Sequence, residues 1–199
     1  MLRLAKYFYS KDSLLAFISS ENRNYQRLYK IYKYISSLLN KKKAILFVSC
    51  DTVYFNNYFH SIYQSTTQNS PDNNIWVNII NPTVSDIRTV KAMKRKNKTH
   101  HKKCQLYYSL EYKDFSNPNH TEEQQKTYYA SSRFIKLHRL LGLAKRDIIA
   151  LDIDSIVLGD ITRLQFEMHL TENDIAIKTR FHEDNVKAKF LAGTIYARH

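Results

Sequence analysis

The sequence predicts an α/β fold in which a mostly parallel sheet is flanked by helices. The first observation is an apolar run over 44–50, followed by a helix-like stretch over 55–68 and a second apolar run over 75–80. Strand, helix and strand at this spacing form a βαβ unit, the building block of a parallel sheet. The second observation is a helix-like stretch over 128–141 that leads into a long apolar run over 147–157.

Composition limits the class of protein. The chain has 199 residues, 43% of them hydrophobic, which suits one domain with a sizeable core. A net charge of +13 favours anionic partners. Cys50 and Cys104 are far apart, which argues against a disulfide scaffold or a structural zinc site. No apolar run approaches the roughly 20 residues that span a bilayer. We therefore expect a cytoplasmic protein, with peripheral contact at the membrane face left open.

Residues 1–43 are predicted to form a basic helical extension before a main domain over 44–199. One apolar stripe recurs at three- and four-residue steps; it consists of Tyr25, Leu28, Tyr32, Ile35 and Leu39. Two interpretations stay open: a helix packed on the domain, and a basic amphipathic helix that lies on an anionic membrane or a partner.

The remaining elements follow from periodicity and from turn residues. The helix over 55–68 has Phe59, Ile62 and Tyr63 on one face. The basic stretch over 88–103 is a solvated helix or loop, or else a site for nucleic acid or phosphate. A short strand over 106–110 precedes a polar loop over 111–124. Two later strands are predicted over 174–179 and 190–196, and the helix over 128–141 has the candidate core residues Tyr129, Phe134, Leu137, Leu140 and Leu141, with Gly142 as its stop.

The apolar run over 147–157 contains two acidic residues, Asp152 and Asp154. A buried strand normally excludes carboxylates, because a charge taken out of water is costly unless it is paired or bound to metal. In an extended chain, residues two apart point to the same side. The spacing therefore predicts two carboxylates that converge near a strand end, where they would suit a hard cation such as Mg²⁺ or Mn²⁺.

Four segments occur in an order that resembles a known family. They are Val48–Tyr54, which ends a strand with Asp and has Tyr three residues later, the helix Tyr129–Leu137 with its Arg, the DxD run Leu151–Leu158, and the strand Phe190–Tyr196. Together they resemble glycosyltransferase family 8, whose members are nucleotide-sugar transferases of the GT-A fold. The similarity covers about residues 44–197.

The resemblance implies transfer of a hexose from a nucleotide sugar, typically a UDP-sugar, to a saccharide or lipid-linked acceptor. Asp152 and Asp154 would bind Mn²⁺ or Mg²⁺, which would bridge the two phosphates and act as a Lewis acid. Arg133 would place a fixed charge beside the diphosphate or orient an aspartate. The implied donor-binding residues are Asp51, Tyr54, Arg133, Asp152, Ala192 and Gly193. No catalytic nucleophile or base is identified.

Two departures from the family pattern bear on activity. Leu191 stands where the last strand of the family has Asn, and Val53 stands at a position that is often polar. A later His, which supplies a third metal ligand in the family, would fall after His199. The resemblance therefore implies a domain that is incomplete at its C-terminus.

Several site residues also have plain structural interpretations. Asp51 could cap the following helix, a role that Asp often has. Tyr54 could be a core residue, Arg133 an exposed helix residue, and Gly193 a bulge or a site of close packing.

Two other functions are compatible with the sequence. The run over 151–157 also resembles the first motif of haloacid-dehalogenase-type phosphatases, in which Asp152 would be the nucleophile and Asp154 a general acid. The second is a non-catalytic protein that binds nucleic acid or membrane, since tyrosines interleave with Lys and Arg over 25–34 and 103–113.

Overall fold

A computed structural model describes residues 43–100, 104–116, 121–171, 174–179 and 190–199. The predicted extension over 1–43 lies outside the described residues, except for Lys43. The elements are β1 (Ile45–Asp51), α1 (Thr52–Asn69), β2 (Asn74–Ile80), α2 (Val84–His100), β3 (Leu106–Glu111), α3 (Glu122–Ala144), β4 (Ile148–Leu151), α4 (Thr162–Thr171), β5 (Ile175–Thr179) and β6 (Phe190–Ala197).

The strands form one sheet in the order β3-β2-β1-β4-β6-β5. Strands β1 to β4 are parallel, whereas β6 runs antiparallel to β4 and β5 antiparallel to β6. The prediction of a mostly parallel α/β sheet is therefore confirmed. The chain lays β2 and β3 on one side of β1 and then crosses to β4 on the other side. This switch in direction opens a crevice between the carboxyl ends of β1 and β4.

Alternate residues of β1 enter two separate cores, because successive side chains of a strand point to opposite faces. Leu46 and Val48 belong to the larger core, which includes Phe59 of α1 and Val90 of α2. On the opposite face Phe47 belongs to a smaller core under α3, with Leu140, Ile148, Ala150 and Ile195 buried in it and Trp76, Leu137 and Leu141 packed against it. The sheet thus has helices on both faces.

The limits of α3 differ from the prediction. The helix begins at Glu122, inside the predicted loop, because Thr121 and Gln124 form a reciprocal capping box. Gly142 does not end it; the helix continues to Ala144, and Lys145 adopts the left-handed conformation at φ 47°. Phe134, predicted as a core residue, is 40% exposed. It lies at the edge of the apolar stripe, while the neighbouring Arg133 is turned inward.

Strand β4 ends at Leu151, so the prediction of a strand to Val157 is wrong. Asp152 begins a turn in which the Ser155 N–H donates to the Asp152 carbonyl at 3.1 Å. The chain then leaves the sheet, and side chains of α1 bind its backbone at Val157. Val157 N–H donates to Ser65 Oγ at 3.1 Å, and Asn69 Nδ2 donates to the Val157 carbonyl at 2.7 Å.

A buried carboxylate holds the amino end of β4 against α4 and β6. Asp147 Oδ2 accepts hydrogen bonds from Tyr196 OH at 2.5 Å and Gln165 Nε2 at 2.9 Å, and lies 3.0 Å from His169 Nε2. Asp147 Oδ1 accepts from the His199 N–H at 3.1 Å. Burial alone would raise the pKa of Asp147, but these hydrogen bonds hold that pKa well below its usual value.

No helix within the described ranges has the length and hydropathy that a membrane span requires.

Candidate active site

Two aspartates flank the crevice between β1 and β4. Asp51 is the last residue of β1, and Asp152 directly follows β4. The two strands are parallel neighbours, with Phe47 paired to Ala150. Their carboxyl ends therefore lie side by side, at the position where open α/β sheets bind ligands.

Arg133 reaches this crevice from α3, which packs against both β1 and β4. Its Nη1 forms an ion pair with Asp152 Oδ1. The Arg133 side chain is only 13% exposed, so its interpretation as an exposed helix residue is wrong. Burial lowers the pKa of Arg133, and the negative charge of Asp154 opposes that shift. Arg133 thus interacts electrostatically with both Asp152 and Asp154.

The Arg133 side chain has an unused donor. Its Nε is buried and has no hydrogen-bond partner within the described part of the chain. A buried N–H without an acceptor is costly, and such groups are uncommon in folded proteins. An anionic ligand in the crevice would supply the acceptor.

Asp152 and Asp154 lie in the turn after β4 rather than along a strand. Asp154 is exposed, and the Ile153 side chain between them is buried in the core. The described residues contain no group of three His, Cys, Asp or Glu that could hold a metal ion. Two carboxylates are nevertheless sufficient for a cation such as Mg²⁺, which is commonly bound by one or two carboxylates together with substrate phosphates. The donor set therefore fits a hard divalent cation.

Asp51 has a structural role as the N-cap of α1. Its Oδ1 accepts a hydrogen bond from the Tyr54 N–H at 2.8 Å, which confirms the capping interpretation. Only one of its two carboxylate oxygens has this role. Tyr54 is 49% exposed and is not a core residue, and its ring lies 5.5 Å from that of Tyr58.

Tyr129 is a neighbour of Asp51 that the sequence did not indicate as a site residue. It was expected in the core but is only partly buried. Burial and the negative charge of Asp51 raise the pKa of Tyr129, while a hydrogen bond with Asn81 lowers it. Its hydroxyl therefore lies among polar groups at the carboxyl ends of β1 and β2. Its helical spacing predicted a core residue, but that spacing does not distinguish an aromatic residue in the core from one that lines a crevice.

Ala192 and Gly193 lie in β6, as predicted. The next residue, Thr194, pairs with Leu151 at the end of β4. The backbone of β6 at Gly193 is therefore adjacent in register to the start of the Asp152 turn. Donor binding by either residue stays a prediction.

A polar network that the sequence did not predict lies on the α3 face of the sheet. Its centre is Glu111 at the end of β3, which accepts hydrogen bonds from Tyr128 OH and from Asn78 Nδ2 at 3.0 Å, and pairs with Lys136 Nζ at 3.2 Å. Asn78 also donates to Ser49 Oγ at 3.1 Å, which lies 3.0 Å from Ser132 Oγ. The sequence feature that could have indicated this network is a polar residue in each of three adjacent strands, at the paired positions Ser49, Asn78 and Ser109.

Three solved structures resemble this fold. GlyE, a glycosyltransferase from Streptococcus pneumoniae, superposes with a TM-score of 0.55 and 17% identity over 79% of this chain. Mouse xyloside xylosyltransferase 1 has a TM-score of 0.51 and 13% identity over 78% of this chain. The bifunctional glycosyltransferase WbbM has a TM-score of 0.50 and 16% identity over 79%. The chain has a GT-A-like glycosyltransferase fold.

The GT-A-like chain is shorter than the proteins that it resembles. The matched region covers 34% of GlyE, 31% of WbbM and 67% of the mouse enzyme. No protein-family model and no curated protein matches the sequence. At these identities the likeness shows the fold alone.

Proposed function

We propose that this chain transfers a sugar from a nucleotide-diphosphate sugar, with Mn²⁺ or Mg²⁺ bound by Asp152 and Asp154. One observation carries the proposal: the largely buried Arg133 pairs with Asp152 and is affected by the charge of Asp154, at the end of the strand that lies beside β1 and its terminal Asp51. A crevice that combines a buried cation with two carboxylates suits a ligand that brings both a diphosphate and a divalent metal.

The chemistry requires stabilisation of a diphosphate leaving group. A bound divalent cation would supply Lewis-acid neutralisation of the departing phosphates. Arg133 would bind a diphosphate oxygen through its fixed, planar guanidinium, and its buried Nε would gain the acceptor that it lacks. The uncommitted oxygen of Asp51 would accept from the ribose or base, with Tyr54 flanking the base.

The finer assignments rest on the resemblance to glycosyltransferase family 8. They are a UDP-hexose as the donor and a saccharide or lipid-linked acceptor. Ala192 and Gly193 would allow the donor sugar to approach the backbone of β6 closely.

The fold favours a transferase over the phosphatase that the same DxD run suggested, since the three solved structures described above are glycosyltransferases. Asp152 is also paired with Arg133, whereas the phosphatase mechanism would use it as the nucleophile. We therefore expect no hydrolysis of a generic phosphoester.

The proposal is tested by thermal unfolding with UDP, with Mn²⁺, and with both together. A ligand that binds the native state raises its stability, so the combination should raise the unfolding temperature more than either alone. The variant Asp152→Asn/Asp154→Asn should lose this combined effect. A matched control is Asp160→Asn, which removes an acidic residue outside the Asp152–Asp154 turn.

Two outcomes would contradict the proposal. One is a wild-type chain whose unfolding temperature does not respond to UDP with Mn²⁺. The other is an equal response in the double variant. A positive result is followed by incubation with UDP-sugars, where release of UDP measures turnover and a panel of saccharides identifies the acceptor.

A further inference from the structure

Helices α1 and α2 have an unbalanced charge. The acidic residue among their described side chains is Asp86, which is 1% exposed and accepts hydrogen bonds from Thr52, Asn56 and Thr83. Helix α1 has neither Lys nor Arg. Helix α2 has five cations with described side chains: Arg88, Lys91, Lys94, Arg95 and Lys96. The surface of these two helices is therefore positively charged, because Asp86 is buried and the cations are on α2.

The cations are concentrated on the outer side of α2. Arg88, Lys91 and Arg95 are exposed and recur at three- and four-residue steps, which places them on one stripe of the helix. Val90 and Asn97 of the same helix are buried against the sheet. We call Arg88, Lys91 and Arg95 the cationic stripe.

Apolar groups accompany the cationic stripe. Val84 at the start of α2 is 66% exposed, and Val53 at the start of α1 is 61% exposed. Between the helices lies a groove of about 400 Å³, lined by Phe55, Asn56, Phe59, His60, Tyr63, Thr89, Met93 and Lys96. Cations beside exposed aliphatic groups match the headgroup region of a bilayer, where anionic phosphates lie above acyl chains.

We propose that the α1–α2 face docks on an anionic lipid bilayer. The cationic stripe would contact the headgroups, while Val53 and Val84 enter the interfacial layer. This inference rests on the surface of the two helices and is independent of the proposed transferase activity.

The alternative occupant, a single-stranded nucleic acid, would need open aromatic rings on which bases could stack. Tyr107 and Tyr108 of β3 are the tyrosines nearest to the basic helix in sequence, and both are only partly exposed. The Lys94 ammonium lies over their rings, 5.9 and 5.4 Å from the two centroids. The exposed aliphatic side chains also favour lipid, because valine contributes nothing to phosphate binding.

The test is flotation of the full chain with vesicles of phosphatidylcholine, with and without phosphatidylglycerol. Each Lys or Arg near an anionic leaflet contributes measurably, so Arg88→Gln/Lys91→Gln/Arg95→Gln should weaken partitioning at least about tenfold. The matched control is Lys126→Gln/Arg139→Gln/Lys145→Asn, which removes three exposed cations at α3 and its C-cap. Val84→Ser should weaken binding at physiological salt, where screening reduces the electrostatic part.

Three results would overturn the proposal. The first is a wild-type chain that does not float with phosphatidylglycerol vesicles. The second is an equal loss of binding in the stripe variant and the α3 control, which would mean that overall charge decides. The third is RNA binding that the stripe variant loses and Val84→Ser retains, together with vesicle binding that neither variant changes. Circular dichroism and thermal unfolding of every variant confirm that the comparison is between folded chains.

Discussion

Arg133 of α3 and Asp152, which directly follows β4, form an ion pair at the carboxyl end of the sheet. The arginine is largely buried, whereas the Asp152 side chain is 45% exposed. The surrounding protein thus holds the Arg133 guanidinium in place, and the Asp152 carboxylate lies on the solvent side of the pair. A divalent cation that binds Asp152 would compete with Arg133 for the same oxygen.

Arg133→Met should separate two roles of the arginine, competition with the metal for Asp152 and binding of the diphosphate. Removal of the competing guanidinium should tighten Mn²⁺ binding measured without nucleotide. Loss of its charge-assisted hydrogen bonds should weaken UDP binding in the presence of Mn²⁺ by roughly tenfold to a hundredfold. Isothermal titration calorimetry measures both affinities. Arg139→Met, on the exposed side of the same helix, should change neither. Unchanged Mn²⁺ affinity in Arg133→Met would show that the ion pair does not compete with metal.

Two substitutions of Asp51 should distinguish its cap from ligand binding. Asp51→Ser retains an oxygen acceptor for the Tyr54 N–H, so its unfolding free energy should stay within about 0.5 kcal/mol of the wild type. Asp51→Ala loses the cap and should cost about 1 kcal/mol. Both should weaken UDP binding about tenfold, because both lose the second carboxylate oxygen. If Asp51→Ser binds UDP like the wild type, Asp51 is only a cap.

Asp147→Asn should destabilise the fold without any effect at the crevice. The substitution replaces a carboxylate that accepts hydrogen bonds from several donors, including Tyr196 OH and Gln165 Nε2, with a neutral amide. Removal of such a buried charged acceptor costs about 3 kcal/mol. Urea unfolding near neutral pH measures the loss. Asp174→Asn, whose carboxylate is 82% exposed and pairs with Arg198, should change the free energy by less than about 0.5 kcal/mol.

The stability of the protein should fall in acid because of Asp147. Its pKa in the folded chain lies well below the value of about 3.9 in an unfolded chain. The stabilisation is therefore present above about pH 4 and is lost as the pH falls toward the folded value. Burial alone would raise the pKa of Glu111, but hydrogen bonds from Tyr128, Asn78 and Lys136 lower it, so Glu111 also contributes stability that is lost in acid. Urea unfolding over a pH series should give a shallower acid slope for Asp147→Asn; parallel curves would contradict the assignment.

Both cysteines should be unreactive in the native chain. Cys50 and Cys104 are buried, and burial raises the pKa of Cys104 to about 12. Burial and the nearby carboxylates of Asp51 and Asp86 also raise the pKa of Cys50. A thiol-disulfide reagent near pH 8 should thus react slowly with the native protein and rapidly in denaturant, since the thiolate is the reactive form. Rapid native reaction that Cys104→Ser abolishes would show that this thiol is accessible.

Strands β1 and β2 were predictable because a buried strand has a recognisable pattern in its own sequence. Strand β1 was predicted over 44–50 and is Ile45–Asp51, and β2 was predicted over 75–80 and is Asn74–Ile80. Both are apolar runs bounded by polar residues, and a strand buried on both faces needs such a run. The Asp at the end of β1 and the DxD after β4 were also visible, because acids in an apolar context are rare.

The end of β4 could not be predicted in the same way. Ile153 and Val157 continue the apolar run, so the pattern extends past the strand. The chain beyond Leu151 instead turns away, and Ser65 and Asn69 of α1 form hydrogen bonds with its backbone at Val157. Those partners lie far away in the sequence, and no local pattern indicates them.

The sequence by itself determined the strands of the βαβ unit and the carboxylates at the ends of β1 and β4, since burial and alternation are properties of short segments. Only the tertiary structure decided that Arg133 pairs with Asp152 and that Glu111 collects Tyr128, Asn78 and Lys136. It also decided that Phe134 faces outward and that Asp86, the acid of α2, is buried while the cations Arg88, Lys91 and Arg95 are exposed. These relationships depend on how α3 and α2 lie on the sheet, and that packing is set by contacts between residues distant in the chain.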